Sequence, residues 1–149
     1  MPSYLAAGGL MQTRLADKLT SVPPLNIRQS ISLEWVVANA LDPSVNIIYH
    51  DDKVDMGDGG DSQRGKTQVV HQIWLILVTV QNNSDAGVAA EADAGVILSE
   101  VIVALQGYEI RKQLNPLHRI PCVYRKTEKD GYVHLPLMYA TKVITTGVS

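Results

Sequence analysis

Residues Thr67–Gln81 read TQVVHQIWLILVTVQ, a run dense in β-branched and aliphatic side chains with turn residues on either side. A continuous apolar stretch of this length suits a central strand buried on both faces. Val69, Ile73, Leu77 and Val80 also recur three or four apart, as a helix would require, but the enrichment in Val and Ile favours the strand. What else the chain can be depends on what flanks and covers that strand. Its 149 residues are enough for one domain with a real core and too few for two ordinary ones, so a single domain over 1–149 is expected.

Upstream, Leu5, Leu15 and Leu19 are spaced for an amphipathic helix over Tyr4 to Leu19, weakened at Gly8 and Gly9 and ended by Pro23 and Pro24. The apolar positions from Ile31 to Leu41 predict a second helix over Gln29 to Ala40, stopped at Asp42-Pro43. SVNIIYH, Ser44 to His50, reads as a short strand. Downstream, Ser84 is a plausible N-cap of a long helix that runs to Gln106, with Gly107 as its C-terminal cap. That helix carries two apolar stripes. Ala90, Ala94, Leu98, Val101, Ile102 and Leu105 form one, and Ala89, Ala92, Val96 and Val103 the other, separated by a narrow polar strip around Asp93 and Glu100. It must therefore pack on a sheet and also on something else, either the N-terminal helices or another subunit. Two strands, His118 to Lys126 and Tyr132 to Ile144, close the chain around an Asp130-Gly131 hairpin signal. Pro121 and Pro136 belong at an edge, a bulge or a strand start, because neither donates a ladder hydrogen bond. The expected fold is α/β in the α+β sense: a mixed, mostly antiparallel sheet with helices packed on one face and a long loop between the first two strands.

That loop, DDKVDMGDGGDSQRGK at Asp51 to Lys66, holds five Asp, three basic residues and four Gly, with almost nothing to bury. A structureless segment of such length is usually functional. Its end contains GDSQRGKT, Gly60 to Thr67, which fits the phosphate-binding pattern G-x-x-x-x-G-K-[ST] letter for letter. The pattern binds phosphate only where a buried strand runs into the glycines and a helix starts at the Lys-[ST] end. Here the preceding strand ends near His50, four Asp intervene before Gly60 with Asp61 inside the pattern, and a strand is expected to follow. A solvated loop with a chance match is the better reading, and a small nucleotide-binding enzyme using Gly60 to Thr67 is the rival from another class.

Other chemistry is thinly represented. The acidic residues of the loop lack the alternate spacing and final Glu of an EF-hand. His118 and Cys122, four apart on a strand, stand about 13 Å from each other, and the four His and one Cys make no ligand cluster. No G-x-S-x-G is present. Neither metal, cofactor nor catalytic set is expected. The single cysteine allows no internal disulfide and fits a reducing compartment. No apolar run approaches the ~20 residues of a membrane span, and the N-terminus has no basic region followed by an apolar one, so neither a span nor a secretory leader is expected. A net charge of −2 argues against a dedicated nucleic-acid binder.

The second half carries a resemblance. Asn82 to Asp85, Asp93-Ala94-Gly95, Ala104-Leu105-Gln106-Gly107-Tyr108, Pro116-Leu117 and Gly131-Tyr132 fall in an order, strand, helix, "NPL" and final hairpin, that resembles the tail terminator (tail completion) proteins of tailed bacteriophages. The resemblance implies a non-enzymatic virion protein. It would be assembled in the host cytoplasm as a homo-oligomeric ring, usually a hexamer, on the head-proximal end of the tail tube. Its partners would be the tube protein, the neck or head-tail connector protein and, in contractile tails, the sheath, with DNA passing through the lumen unread. The near-neutral charge suits such a lumen, since strong phosphate neutralisation would grip the DNA. Another head-tail joining or neck ring is the rival within the same class. In this reading the Asp51 to Lys66 loop meets a neighbour, and Asp55, Asp58, Asp61, Arg64 and Lys66 are its expected contact residues.

Overall fold

A computed structural model describes residues 3–55, 67–82, 88–110 and 116–147. Thr67–Gln81 is one strand along its whole length, β3, and it holds the middle of the sheet. It is flanked by two strands antiparallel to it, β2 (Ser44–Val54) and β6 (Tyr132–Thr146). β6 pairs with it from Gln81↔Tyr132 to Thr67↔Thr146 without a break. Outside β2 lies β1 (Ile27–Ser30), parallel to it, and outside β6 lie β4 (His118–Ile120) and β5 (Thr127–Lys129). The helices are α1 (Ala6–Lys18), α2 (Leu33–Ala38) and α3 (Val88–Leu105). The result is the expected mixed, mostly antiparallel sheet with helices.

The alternation of a strand divides the core in two. Trp74, Ile76, Val78 and Val80 of β3, with Val45 and Ile47 of β2 and Leu137 and Tyr139 of β6, face α1 and α3. Leu75 and Leu77, with Ile48 and Met138, face the other way onto Val36 of α2 and the Cys122 and Tyr124 side chains. Hence both faces of β3 are dry from Trp74 to Val80, as the densest part of its apolar run requires. Polar pairs are sealed in as well: the Thr79 hydroxyl and His134 Nδ1 lie 2.8 Å apart, and Asn46 Nδ2 donates to the Ser44 hydroxyl at 3.2 Å, all four residues fully buried.

Three local expectations change. The helix read over Gln29 to Ala40 is split: Ile27–Ser30 is strand, and the helix begins only at Leu33, where the Ser32 side chain accepts the Trp35 amide at 3.1 Å. Parallel pairing of Ile27–Ser30 with Val45–Ile48 overrides the local helical spacing, because it engages backbone groups distant in sequence. The strand read to His50 continues to Val54 across an irregularity near His50, so Asp51–Val54 leaves the loop and joins the sheet. The strand read over His118 to Lys126 stops at Ile120, before Pro121. Thr127–Lys129 then makes the hairpin with β6, through a two-residue turn in which Asp130 and Gly131 both have positive φ, 51° and 80°. Pro136 lies on β6 between the stretches paired with β5 and β4, where a missing N–H breaks no described ladder on that flank.

Gly107 ends α3 with φ 79°, as expected of a C-terminal cap, and its amide reaches Leu117 O at 2.9 Å. The proposed N-cap Ser84 lies outside the described residues. The apparent weakness at Gly8 has a packing reason. A Cβ there would sit 2.6 Å from Gln29 Oε1 and 2.9 Å from the Trp74 ring. Gly8→Ala should therefore destabilise the fold by about 1–3 kcal/mol despite its better helix propensity, measured by urea denaturation. A second outcome concerns His134, whose pKa burial pushes below its ordinary 6.5. The unfolded chain takes up the proton first, so stability is full above pH 6.5 and falls as pH drops below it, by at most about 1.4 kcal/mol per pH unit for this group. Thermal melts between pH 7.5 and 5.5 check this, and His134→Gln should flatten the slope.

Candidate functional site

The core consumes one face of α3 and leaves another bare. Ala90, Ala94, Ile97, Val101, Ala104 and Leu105 are buried. Ile97 replaces the expected Leu98 and Ile102, which are only partly covered. α1 packs alongside: Arg14 Nε donates to Ala104 O at 3.1 Å, its guanidinium lies 4.5 Å from the Tyr108 ring centroid, and Glu100 receives Thr20 and Ser21 hydroxyls at 2.6 and 3.0 Å. Partial burial tends to raise the Glu100 pKa, but these hydrogen bonds outweigh it and hold the carboxylate below its usual range. Glu100 thus docks the turn after α1 instead of facing solvent as part of a polar strip. The second stripe stays uncovered. Val88, Val96 and Val103 are 68%, 56% and 81% exposed, and Ala89, Ala92 and Ser99 beside them are exposed too. Residues at these intervals share one helix face. A row of valines in water on the most apolar helix of the chain is the kind of surface that marks a protein contact.

The second candidate surface is the end of the sheet beyond the core, where Asp51–Val54, Thr67–Gln72 and Thr141–Thr146 run together. Tyr4 and Tyr49 hydroxyls both donate to Asp52 Oδ2, at 2.8 and 2.6 Å, and Gln72 Nε2 donates to Tyr4 O at 2.8 Å. This clamp ties the start of α1 to the projecting strands. Hydrogen bonds from Tyr49 and Tyr4 hold the Asp52 carboxyl below its usual pKa, and burial followed by the Asp52 bond pushes the Tyr49 phenol well above its own. On the opposite face, His50, Lys53, His71 and His118 line a groove of about 440 Å³ with Ile73 and Met138.

Of the contact residues expected from the sequence, Asp55 is placed. It lies just past β2, its amide donates to Val69 O at 2.8 Å, and its carboxylate lies 3.7 Å from His71 Nε2. Asp58, Asp61, Arg64 and Lys66 lie outside the described residues, as does the glycine segment of the phosphate-loop match. Thr67, its last residue, opens β3 where phosphate binding needs the first turn of a helix. Among the described residues, no three His, Cys, Asp or Glu side chains gather as metal ligands, and no helix is long and apolar enough to cross a membrane. Sequence reasoning missed the Tyr4–Tyr49–Asp52 clamp, because its members come from α1 and β2 and no local pattern joins them.

The sheet is braced by α1 and α3 on one face and by the short α2 on the other, not by helices on one face alone as expected, and it leaves an apolar helix face and a projecting polar strand end uncovered. Residues 26–147 match the family described as phage tail terminator protein, and the chain belongs to that family. It is a structural protein of the phage tail. Among solved structures it superposes on a chain of the virion of a native gene transfer agent particle, with a TM-score of 0.57 at 17% identity, covering 95% of this chain and 99% of that one. That likeness shows a shared fold. No curated protein matches at a significant level.

With Thr67 in a strand, millimolar Mg-ATP should leave the melting temperature unchanged. A site of micromolar affinity would add more than 2.7 kcal/mol under those conditions, readily seen by differential scanning fluorimetry.

Proposed function

We propose that this protein forms a ring on the head-proximal end of the tail tube, where it ends tube polymerisation and offers the surface on which the head or neck joins. The exposed Val88–Val96–Val103 face carries the reading, because an isolated soluble chain has no use for it and a ring subunit does. Family membership and the fold shared with a chain of a virion particle support it. The ring is expected to be a hexamer, its partners the tube protein, the neck or connector protein and, in a contractile tail, the sheath. DNA passes through its lumen unread.

In this reading the Asp51–Lys66 segment meets a partner. Asp55, Asp58, Asp61, Arg64 and Lys66 supply contacts that weaken with salt, as exposed charge pairs do. β2 and β3 carry the segment outward at the projecting end of the sheet.

The test is loss of the protein followed by substitution of its bare helix face. Without it, tails should grow to uncontrolled length. Tails of normal length that fail to join heads would instead identify a neck protein and overturn the termination role. Val96→Asp with Val103→Asp, both at exposed positions, should shift monomer stability by no more than about 0.5 kcal/mol per site yet abolish length control and ring assembly, scored by electron microscopy of tails.

A further inference from the structure

The sheet is closed on both sides at one end and open on both sides at the other. β1 pairs with β2 only over Val45–Ile48, and β2 continues to Val54. β4 pairs with β6 only as far as Ala140, and β6 continues to Thr146. Among the described residues, no strand covers the outer flank of β2 over 49–54 or of β6 over 141–146. The two open stretches are equal in length and overlap across Val70–Gln72 of β3: 49–54 lies level with Val70–Trp74 and 141–146 with Thr67–Gln72. At the β2 flank the Asp52 amide donates to the neighbouring Asp51 carboxylate, at 2.8 Å. Long uncovered edges are templates for another strand, and natural sheets blunt them unless they are used.

We propose that these edges are the subunit joint: β6 of one copy adds to β2 of the next. The proposal rests on the ring reading and specifies its interface. Both strands run antiparallel to β3 and therefore share a direction, so a head-to-tail neighbour presents β2 parallel to β6. A joint between two different edges is heterologous and makes a ring where its rotation closes, whereas β6 meeting β6 about a two-fold axis would stop at a dimer. Charge selects the occupant and the register. The β2 flank carries Asp51, Asp52 and Lys53 and is acidic on balance, while Thr141–Thr146 carries Lys142 and no acid. Within one chain Lys142 stands level with His71 and Lys53. Sliding the neighbour so that its Asp51, on the same sheet face, comes beside Lys142 relieves the Lys53–Lys142 repulsion and sets Lys53 beside Ile144. The slide is the stagger that a sheet needs to close on itself. It also brings Ile144, 51% exposed, and the 40% exposed Val54 into the joint.

The experiment uses the full chain with Cys122→Ser, so that only introduced thiols react, and carries Lys53→Cys together with Ile144→Cys into assembled tails. Oxidation or a short bis-thiol reagent should yield a ladder of covalent multimers ending at the ring, with neither single cysteine giving one. A ring seen by electron microscopy without a ladder overturns the edge joint and leaves the ring reading standing. Absence of any ring sinks both. Dimers from Ile144→Cys alone indicate two-fold pairing and overturn the proposal. Should the cysteine chain not enter tails, charge reversal decides: Lys142→Glu should lower ring assembly at least tenfold and Asp51→Lys in the same chain should restore it. Unchanged assembly with Lys142→Glu, or no rescue, counts against the joint.

Discussion

Everything in this protein hangs on β3 being bonded on both flanks and, from Trp74 to Val80, dry on both faces. A fifteen-residue strand of that composition exposes a large apolar surface unless something covers each side. α1 and α3 cover one side, while α2 and the chain around Cys122 and Tyr124 cover the other. The unequal thickness of these layers leaves a helical back and a groove-bearing front. The length of β3 also exceeds what the layers span, so its early residues carry β2 and β6 out past the core.

Function in such a protein is a matter of surfaces left over once the core is satisfied. α3 shows this most directly, since it is apolar around most of its circumference and can bury only part of it internally. Glu100 and Arg14 fix how α1 lies along it and thereby decide which valines remain outside. At the projecting end, the Tyr4–Tyr49–Asp52 clamp makes the same kind of choice, because it fastens the helical layer to β2 and leaves the outer flank of the strand uncovered. Under the proposed function these are the surfaces through which the protein meets its partners.

The periodic elements were legible because their signals are local. β3, the hairpin turn at Asp130-Gly131 and the cap at Gly107 each follow from residue type and spacing over a few positions. The misread elements depended on distant partners. Ile27–Ser30 has helical neighbours in sequence and becomes strand because β2 offers it a parallel ladder. Asp51–Val54 looks like a solvated acidic loop, and it joins the sheet because β3 continues beside it. The phosphate-loop match is the opposite case, a pattern complete in sequence whose last residue, Thr67, opens a strand and not a helix, in keeping with its reading as a chance match. Among the expected contact residues only Asp55 falls in the described part of the chain, where its carboxylate faces His71.

The sequence alone determined the strand that organises the fold and the apolar excess of α3, both of which are properties of composition and short-range spacing. The family resemblance also lay in short motifs, and the match over residues 26–147 bears it out. Only the tertiary structure decided which α3 residues remain in water, which strand flanks stay open, and that Asp52 is held by two tyrosines from different elements. Those outcomes depend on which layers compete for the same surface, and that competition is settled by packing between residues far apart in the chain.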